Sequence, residues 1–136
     1  MIFLLDSNAI SDLIQNHPRF VARMESVSAT DEVRTASIVR GEILYGVSRL
    51  ADGKRKTILT TKVSEVFAIL RCESVTELTA TYYAKIRADQ EKSGLSVDQN
   101  DLWIAAVAMS VDATVISRDT DLVRVAGLKV VDWTGL

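Results

Sequence analysis

Short apolar runs alternate along the chain with longer segments in which apolar residues recur every three or four positions. The continuous runs Ile2–Leu5, Ala113–Ile116 and Val130–Val131 are typical of strands buried on both faces of a parallel sheet. Helical spacing occupies the segments between them: residues 37–50, 54–70, 78–92 and 98–111. This alternation predicts an α/β three-layer domain with a small parallel sheet flanked by helices.

The start of the last helical segment carries a recognisable capping pattern. Ser96 and Gln99 are three positions apart, immediately before an apolar stretch. A hydroxyl and an amide at this spacing can each bond the backbone amide of the other. We therefore expect a capping box here.

Length and composition favour one folded domain covering residues 1–136. Hydrophobic residues make up 48% and charged residues 25%, and no low-complexity tract or linker interrupts the chain. A single cysteine, Cys72, and a single histidine, His17, exclude an internal disulfide, a standard zinc site and a histidine acid–base pair. Because residues 1–5 are too short for a signal peptide and no apolar run approaches membrane-spanning length, we expect a cytoplasmic protein without membrane contact.

Two acidic residues stand where predicted strands end. Asp6 directly follows the first apolar run, and Asp119 comes soon after the run at 113–116. In an open α/β sheet the carboxyl ends of parallel strands form the ligand-binding crevice, so the two acids could converge there. Alternatively, each caps the next helix or opens a turn, as Asp often does.

Two further acids lie inside apolar helical segments. Glu42 is one position from the core-facing stripe of its helix, and could simply be a flanking residue paired with Arg40 or Arg49. Asp101 precedes a long apolar stretch, and near a helix N-terminus the helix dipole would favour its charge.

Four carboxylates from four elements would repel one another unless a cation neutralised them. Oxygen ligands without histidine or cysteine favour Mg²⁺ or Mn²⁺ over zinc. A divalent ion can assist phosphodiester hydrolysis, so metal-assisted hydrolysis is the reaction class that fits. The net charge of −2 argues against a nucleic-acid binder that relies on a broad basic surface, but a bound ion would restore attraction for phosphate.

Four short motifs in order resemble those of PIN-domain ribonuclease toxins of the VapC type. Residues 1–10 (MIFLLDSNAI) resemble the family's opening strand, which ends in Asp followed by a small residue and Asn. Residues 37–47 (SIVRGEILYGV) and 100–106 (NDLWIAA) are similar to its second and third motifs. Residues 115–133 resemble the fourth motif and the closing strand, so the resemblance covers nearly the whole chain.

The resemblance implies a PIN fold and Mg²⁺- or Mn²⁺-dependent endoribonuclease activity on RNA. It also implies a toxin held by a cognate antitoxin protein, and a homodimer. Asp6, Glu42, Asp101 and Asp119 then correspond to the family's acidic quartet, with Asp6 and Asp101 as principal metal ligands and the other two completing the site.

Supporting roles follow from the same resemblance. Asn8 and Ser117 are expected to form hydrogen bonds within the site, and Asp98 and Asp121 add acids beside it. The spacing of Asp98 and Asp101 would let both face one ion, although Asp98 could simply cap the helix. We expect Asp119 rather than Asp121 to face the metal.

A basic cluster lies at the end of the Glu42 helix and just beyond it. Its members are Arg49, Lys54, Arg55 and Lys56. They could flank an RNA path, or they could be a solvated turn and helix start.

Other functions remain as alternatives. A catalytically silent PIN-like module would bind RNA or protein without turnover. A phosphoacceptor receiver would need an Asp at the end of a central strand where this chain has a helical pattern. A haloacid-dehalogenase-type phosphatase would need Asp-x-Asp after the first strand, where this chain has Asp6-Ser7-Asn8.

Overall fold

The computed structural model describes residues 1–135, which form a parallel sheet and the helices around it. The strands are β1 (Ile2–Leu5), β2 (Glu32–Ala36), β3 (Arg71–Glu73), β4 (Ala113–Ile116) and β5 (Val130–Val131). The helices are α1 (Ser7–Ile14), α2 (Pro18–Glu25), α3 (Ser37–Ser48), α4 (Lys54–Ile69), α5 (Glu77–Ser93), α6 (Gln99–Ser110) and α7 (Thr120–Val123).

The five strands lie in the order β3-β2-β1-β4-β5, and every neighbouring pair is parallel. All four residues of β4 are buried, as expected for a strand covered by helices on both faces. In α6 the stretch from Ile104 to Ala108 is also buried, so this helix lies at the centre of the core. The predicted α/β fold with a small parallel sheet is confirmed.

The register of the central strands determines where the site forms. Leu5, the last residue of β1, lies opposite Thr35 on β2 and Ile116 on β4. The amide of Asp6 continues the ladder by donating to the carbonyl of Ile116 at 3.2 Å. The segments that follow β1, β2 and β4 therefore leave the sheet side by side at its carboxyl edge.

Two helix starts differ from the expectation. The capping box predicted at Ser96 and Gln99 is wrong, because α6 begins at Gln99 and its N-cap residue is Asp98, whose side chain makes no capping bond. A capping box is present instead at α5, where Thr76 and Thr79 each bond the other's backbone amide. The pair was missed because a threonine at the third helical position is a less familiar partner than Glu or Gln.

Within residues 1–135, none of the helices has the length and apolar character needed to cross a membrane.

Candidate active site

Asp6 is the residue at which β1 ends and α1 begins. Its carboxylate caps α1 by accepting the amide of Ala9 at 2.8 Å, and only 4% of the residue is exposed. Burial raises the pKa of Asp6 above its usual value, and the charges of Asp119 and Asp12 raise it further, against the opposing effect of the Ser117 hydroxyl and the Ala9 amide. Asp6 therefore does cap the next helix, which was the alternative to a role in the site. Its carboxylate is nevertheless buried at the carboxyl edge of the sheet.

Glu42 reaches the same edge from α3. Its Oε1 accepts a hydrogen bond from the Ser7 hydroxyl at 2.7 Å, which links the second helical turn of α3 to the start of α1. Neither arginine considered as its partner is engaged with it: Arg40 lies over the Phe67 ring and Arg49 over the Tyr45 ring. Glu42 is thus held by Ser7, the residue next to Asp6, and not by either of these arginines.

Asp101 lies in the first turn of α6 and is partly buried. Burial raises its pKa to about 7, and the negative charges of Asp119, Asp98, Asp6 and Glu42 contribute in that order. Carboxylates raise one another's pKa in this way only when they are close, so the other three members of the expected quartet all lie near Asp101. The structure therefore brings the four acids together from four separate elements.

Asp119 and Asp121 have different surroundings, although they are two residues apart. Asp119 is held within the segment after β4: its amide donates to Ser117 Oγ at 2.9 Å, and its Oδ1 accepts the amide of Asp121 at 2.8 Å. The Asp121 carboxylate pairs instead with Arg124, which directly follows α7, and its side chain is about half exposed. Asp119 is also the one whose charge acts on Asp6 and Asp101. The geometry thus favours Asp119 as the inward-facing acid.

The other residues expected to support the site, Ser117, Asp98 and Asn8, differ in their burial and in their contacts. Ser117 is buried and fixes Asp119, as described. Asp98 is exposed at the start of α6 and acts on Asp101 through its charge. Asn8 is exposed, and within residues 1–135 its side chain forms no hydrogen bond with the four acids.

The donor set fits Mg²⁺ or Mn²⁺, since every candidate ligand is a carboxylate and a cation would relieve the repulsion around Asp101. Within residues 1–135, no three Asp, Glu, His or Cys side chains are already arranged around one point as metal ligands. Mg²⁺ does not require this, because it commonly keeps several waters and takes only one or two carboxylates besides substrate phosphate oxygens.

The basic cluster lies beside the acids rather than among them. Arg55, on the first turn of α4, and Glu42 line the same cleft, which has a volume of about 270 Å³. Lys56 is turned back to the Ser48 carbonyl and Asp52, while Lys54 is exposed at the start of α4. Arg55 therefore shares a cleft with one of the four acids.

Sequence reasoning missed three residues that shape this site. Ser7 orients Glu42, and the buried Asp12 is paired with Arg118, which adjoins Asp119. The hydroxyl of Ser7 follows Asp6 directly and could have been recognised as a polar group at the edge. Nothing local marks Asp12, because its partner is 106 residues away.

Comparison with known proteins identifies relatives along almost the whole chain. A family model described as "PIN domain" matches residues 3–128. Ribonuclease VapC2 of Rickettsia felis is 28% identical over 135 residues, which cover 98% of each protein. Toxin FitB of Neisseria gonorrhoeae is 33% identical over 124 residues, or 88% of each protein. The crystal structure of VapBC2 from Rickettsia felis, bound to a promoter DNA fragment, superposes with a TM-score of 0.89 at 28% identity, covering 98% of this chain and 99% of that one.

Proposed function

The chain belongs to the PIN-domain family, and on that premise we propose that it is a metal-dependent endoribonuclease, the toxin of a toxin–antitoxin pair. The names of its relatives, a ribonuclease and a toxin, support both parts of the proposal. The observation that carries it is the convergence of Asp6, Glu42, Asp101 and Asp119 at the carboxyl edge, with the pKa of Asp101 raised to about 7 by burial and by the other acids.

We propose Asp6 and Asp101 as the principal ligands of a Mg²⁺ or Mn²⁺ ion, with Glu42 and Asp119 completing the site. When bound, such an ion polarises the phosphodiester and lowers the pKa of water, which makes hydrolysis accessible near neutral pH. Asp6 is suited to its role because the Ala9 amide fixes its orientation. Ser7 holds Glu42 in the same way, so the chain presents preset oxygens instead of mobile side chains.

RNA would enter with its phosphates facing the acids. Since the protein is acidic overall, local cations must guide the backbone. Arg55 is placed for this because it shares a cleft with Glu42, and Arg49, Lys54 and Lys56 extend the basic surface along the same helices.

A cell that makes an active ribonuclease toxin needs a partner that blocks it, so we propose a cognate antitoxin protein. A homodimer and a cytoplasmic location also belong to the proposal. An RNA substrate and the free thiol of Cys72, which suits a reducing compartment, support the location.

The test is cleavage of a labelled structured RNA by protein purified without its antitoxin, with Mg²⁺, with Mn²⁺ and with EDTA. Asp6→Asn and Asp101→Asn should each lower the rate more than about 100-fold, because losing even an outer partner of a metal site costs about 10–100-fold. Asn can still cap α1 at position 6, so folding should persist. Asp89→Asn is the matched control, since Asp89 is exposed on α5, lines a cleft with Ala113 at the opposite edge of the sheet, and makes no side-chain hydrogen bond or ion pair within residues 1–135.

Cleavage that needs the metal, that both variants lose and that the control keeps would support the proposal. Cleavage in EDTA would contradict metal dependence. If folded, antitoxin-free protein bound no Mn²⁺ and cut none of several RNAs, the chain would be a catalytically silent PIN-like binding module.

A further inference from the structure

A buried carboxylate of α1, that of Asp12, lies beside the site but is not one of its four proposed ligands. Asp12 is 6% exposed, and Arg118 contacts both of its oxygens: Nε lies 3.2 Å from Oδ2 and Nη2 lies 3.4 Å from Oδ1. Half of the Arg118 side chain remains exposed. A charge buried to this extent is costly without a partner, so Asp12 depends on Arg118.

The pair joins the two segments that carry two of the proposed ligands. Asp6 is the N-cap of α1, and Asp12 lies six residues further along the same helix. Arg118 stands between Ser117, which bonds the Asp119 amide, and Asp119 itself. The contact therefore fixes the Ser117–Asp119 segment against the helix that begins at Asp6.

The two-point geometry suits a positioning role. A guanidinium that faces both oxygens of a carboxylate restricts direction as well as distance, which a single-point contact does not. The nearby pair of Arg124 and Asp121 differs because both residues lie in or next to α7, three positions apart, and it joins no separate elements.

We propose that the Asp12–Arg118 pair is a positioning clamp that sets the separation of the Asp6 and Asp119 carboxylates and thereby the affinity for the divalent ion. This inference rests on the proposed function, because it assumes that these carboxylates bind the ion. Arg118 and Asp12 touch neither ion nor RNA in this role, and they act through the segments they join.

The sign of the effect at Arg118 separates a clamp from simple electrostatics. Removing a positive charge near an acidic site should tighten binding of a cation if charge alone matters. Loss of a clamp should instead weaken binding, because the two carboxylates would no longer be held at the correct separation. Partners that orient metal ligands typically contribute about 10–100-fold to affinity.

The experiment measures Mn²⁺ affinity of RNA-free, antitoxin-free protein by electron paramagnetic resonance of the free ion. It compares the unmodified protein with Asp12→Asn, Arg118→Gln, the double variant and Arg118→Lys. Arg124→Gln is the matched control, since it removes an arginine charge nearby without breaking the clamp. Circular dichroism establishes that each variant is folded, and RNA cleavage kinetics give KM and kcat separately.

We expect Asp12→Asn and Arg118→Gln each to raise the Kd for Mn²⁺ about 10–100-fold, and the double variant to bind no more weakly than the weaker single variant, because both remove one interaction. Arg118→Lys should recover only part of the affinity, and Arg124→Gln should bind as the unmodified protein does.

Unchanged or tighter Mn²⁺ binding by folded Arg118→Gln would overturn the clamp. If that variant raised only the KM for RNA, Arg118 would be a phosphate contact instead. Should Asp12→Asn fail to fold, the half-exposed Arg118 still provides the deciding variants. An unmodified protein that binds no Mn²⁺ would refute the proposed function itself, which distinguishes that failure from failure of the clamp.

Discussion

Replacing Asp101 with Asn should stabilise the metal-free protein at neutral and alkaline pH. In the folded chain, burial and neighbouring acids raise the pKa of Asp101 from 3.8 to about 7. Between these two values the folded protein holds a proton that the unfolded chain has released. The free energy of unfolding therefore falls as pH rises through this interval and stays lower above pH 7. Asn carries no charge, so the variant should lack this loss.

The size of the effect follows from the pKa. A rise from 3.8 to about 7 would correspond to about 4 kcal/mol if solvent did not screen the charges. Asp101 is only partly buried, and screening should reduce this roughly by half, to about 2 kcal/mol. For a chain of 136 residues this raises the Tm by about 6 °C.

The assay is thermal unfolding in EDTA, followed by circular dichroism at pH 5 and pH 8, for the unmodified protein and Asp101→Asn. The gain in Tm should be clear at pH 8 and smaller at pH 5, where more of the Asp101 carboxyl is protonated. Asp89→Asn is the control, because that exposed acid has no side-chain partner within residues 1–135 and should show no such gain. An Asp101→Asn variant that is equally or less stable at pH 8 would refute the idea that burial and the neighbouring acids together disfavour a charge on Asp101 in the metal-free site.

Three further changes have defined outcomes. Ile104→Ala removes a side chain that is 1% exposed and should lower the free energy of unfolding, measured by urea denaturation, by about 3 kcal/mol. A loss under about 1 kcal/mol would mean that α6 is not central to the core. Thr76→Ala should lower the free energy of unfolding by about 1 kcal/mol in the same assay because it removes the capping box of α5, whereas Ser96→Ala should leave it almost unchanged. A larger loss for Ser96→Ala than for Thr76→Ala would instead support a capping box at the start of α6. Ser7→Ala should slow RNA cleavage about 10-fold with little change in Tm because it releases Glu42, and an unchanged rate would exclude an orienting role.

The sequence allowed β1, β4 and β5 to be predicted because each is a continuous apolar run. It did not reveal β2 and β3, whose residues look like polar surface. Arg34 pairs with Glu32 on the same strand, β2, and with Glu73 on the neighbouring strand β3, so charges that suggest a loop neutralise one another in the sheet. Only the tertiary structure brings Glu73 to Arg34, because the two residues are 39 positions apart in the chain.

The acids of the site could be selected from the sequence, but their convergence could not. It depends on β1 lying between β2 and β4 in a register that places Leu5 beside Ile116, and no local pattern specifies that order. The assignment of Asp6, Glu42, Asp101 and Asp119 to metal binding and catalysis stays a proposal, as does the extent of a single domain over residues 1–136.

Metal binding by the four acids is tested most directly in a crystal soaked in Mn²⁺ and examined by anomalous diffraction. We predict an anomalous peak at the carboxyl edge of the sheet, within coordination distance of the Asp6 and Asp101 carboxylates, and its loss in Asp101→Asn crystals. A fully soaked crystal with no peak there, or with Mn²⁺ bound only at exposed acids such as Asp89, would contradict metal binding at this site.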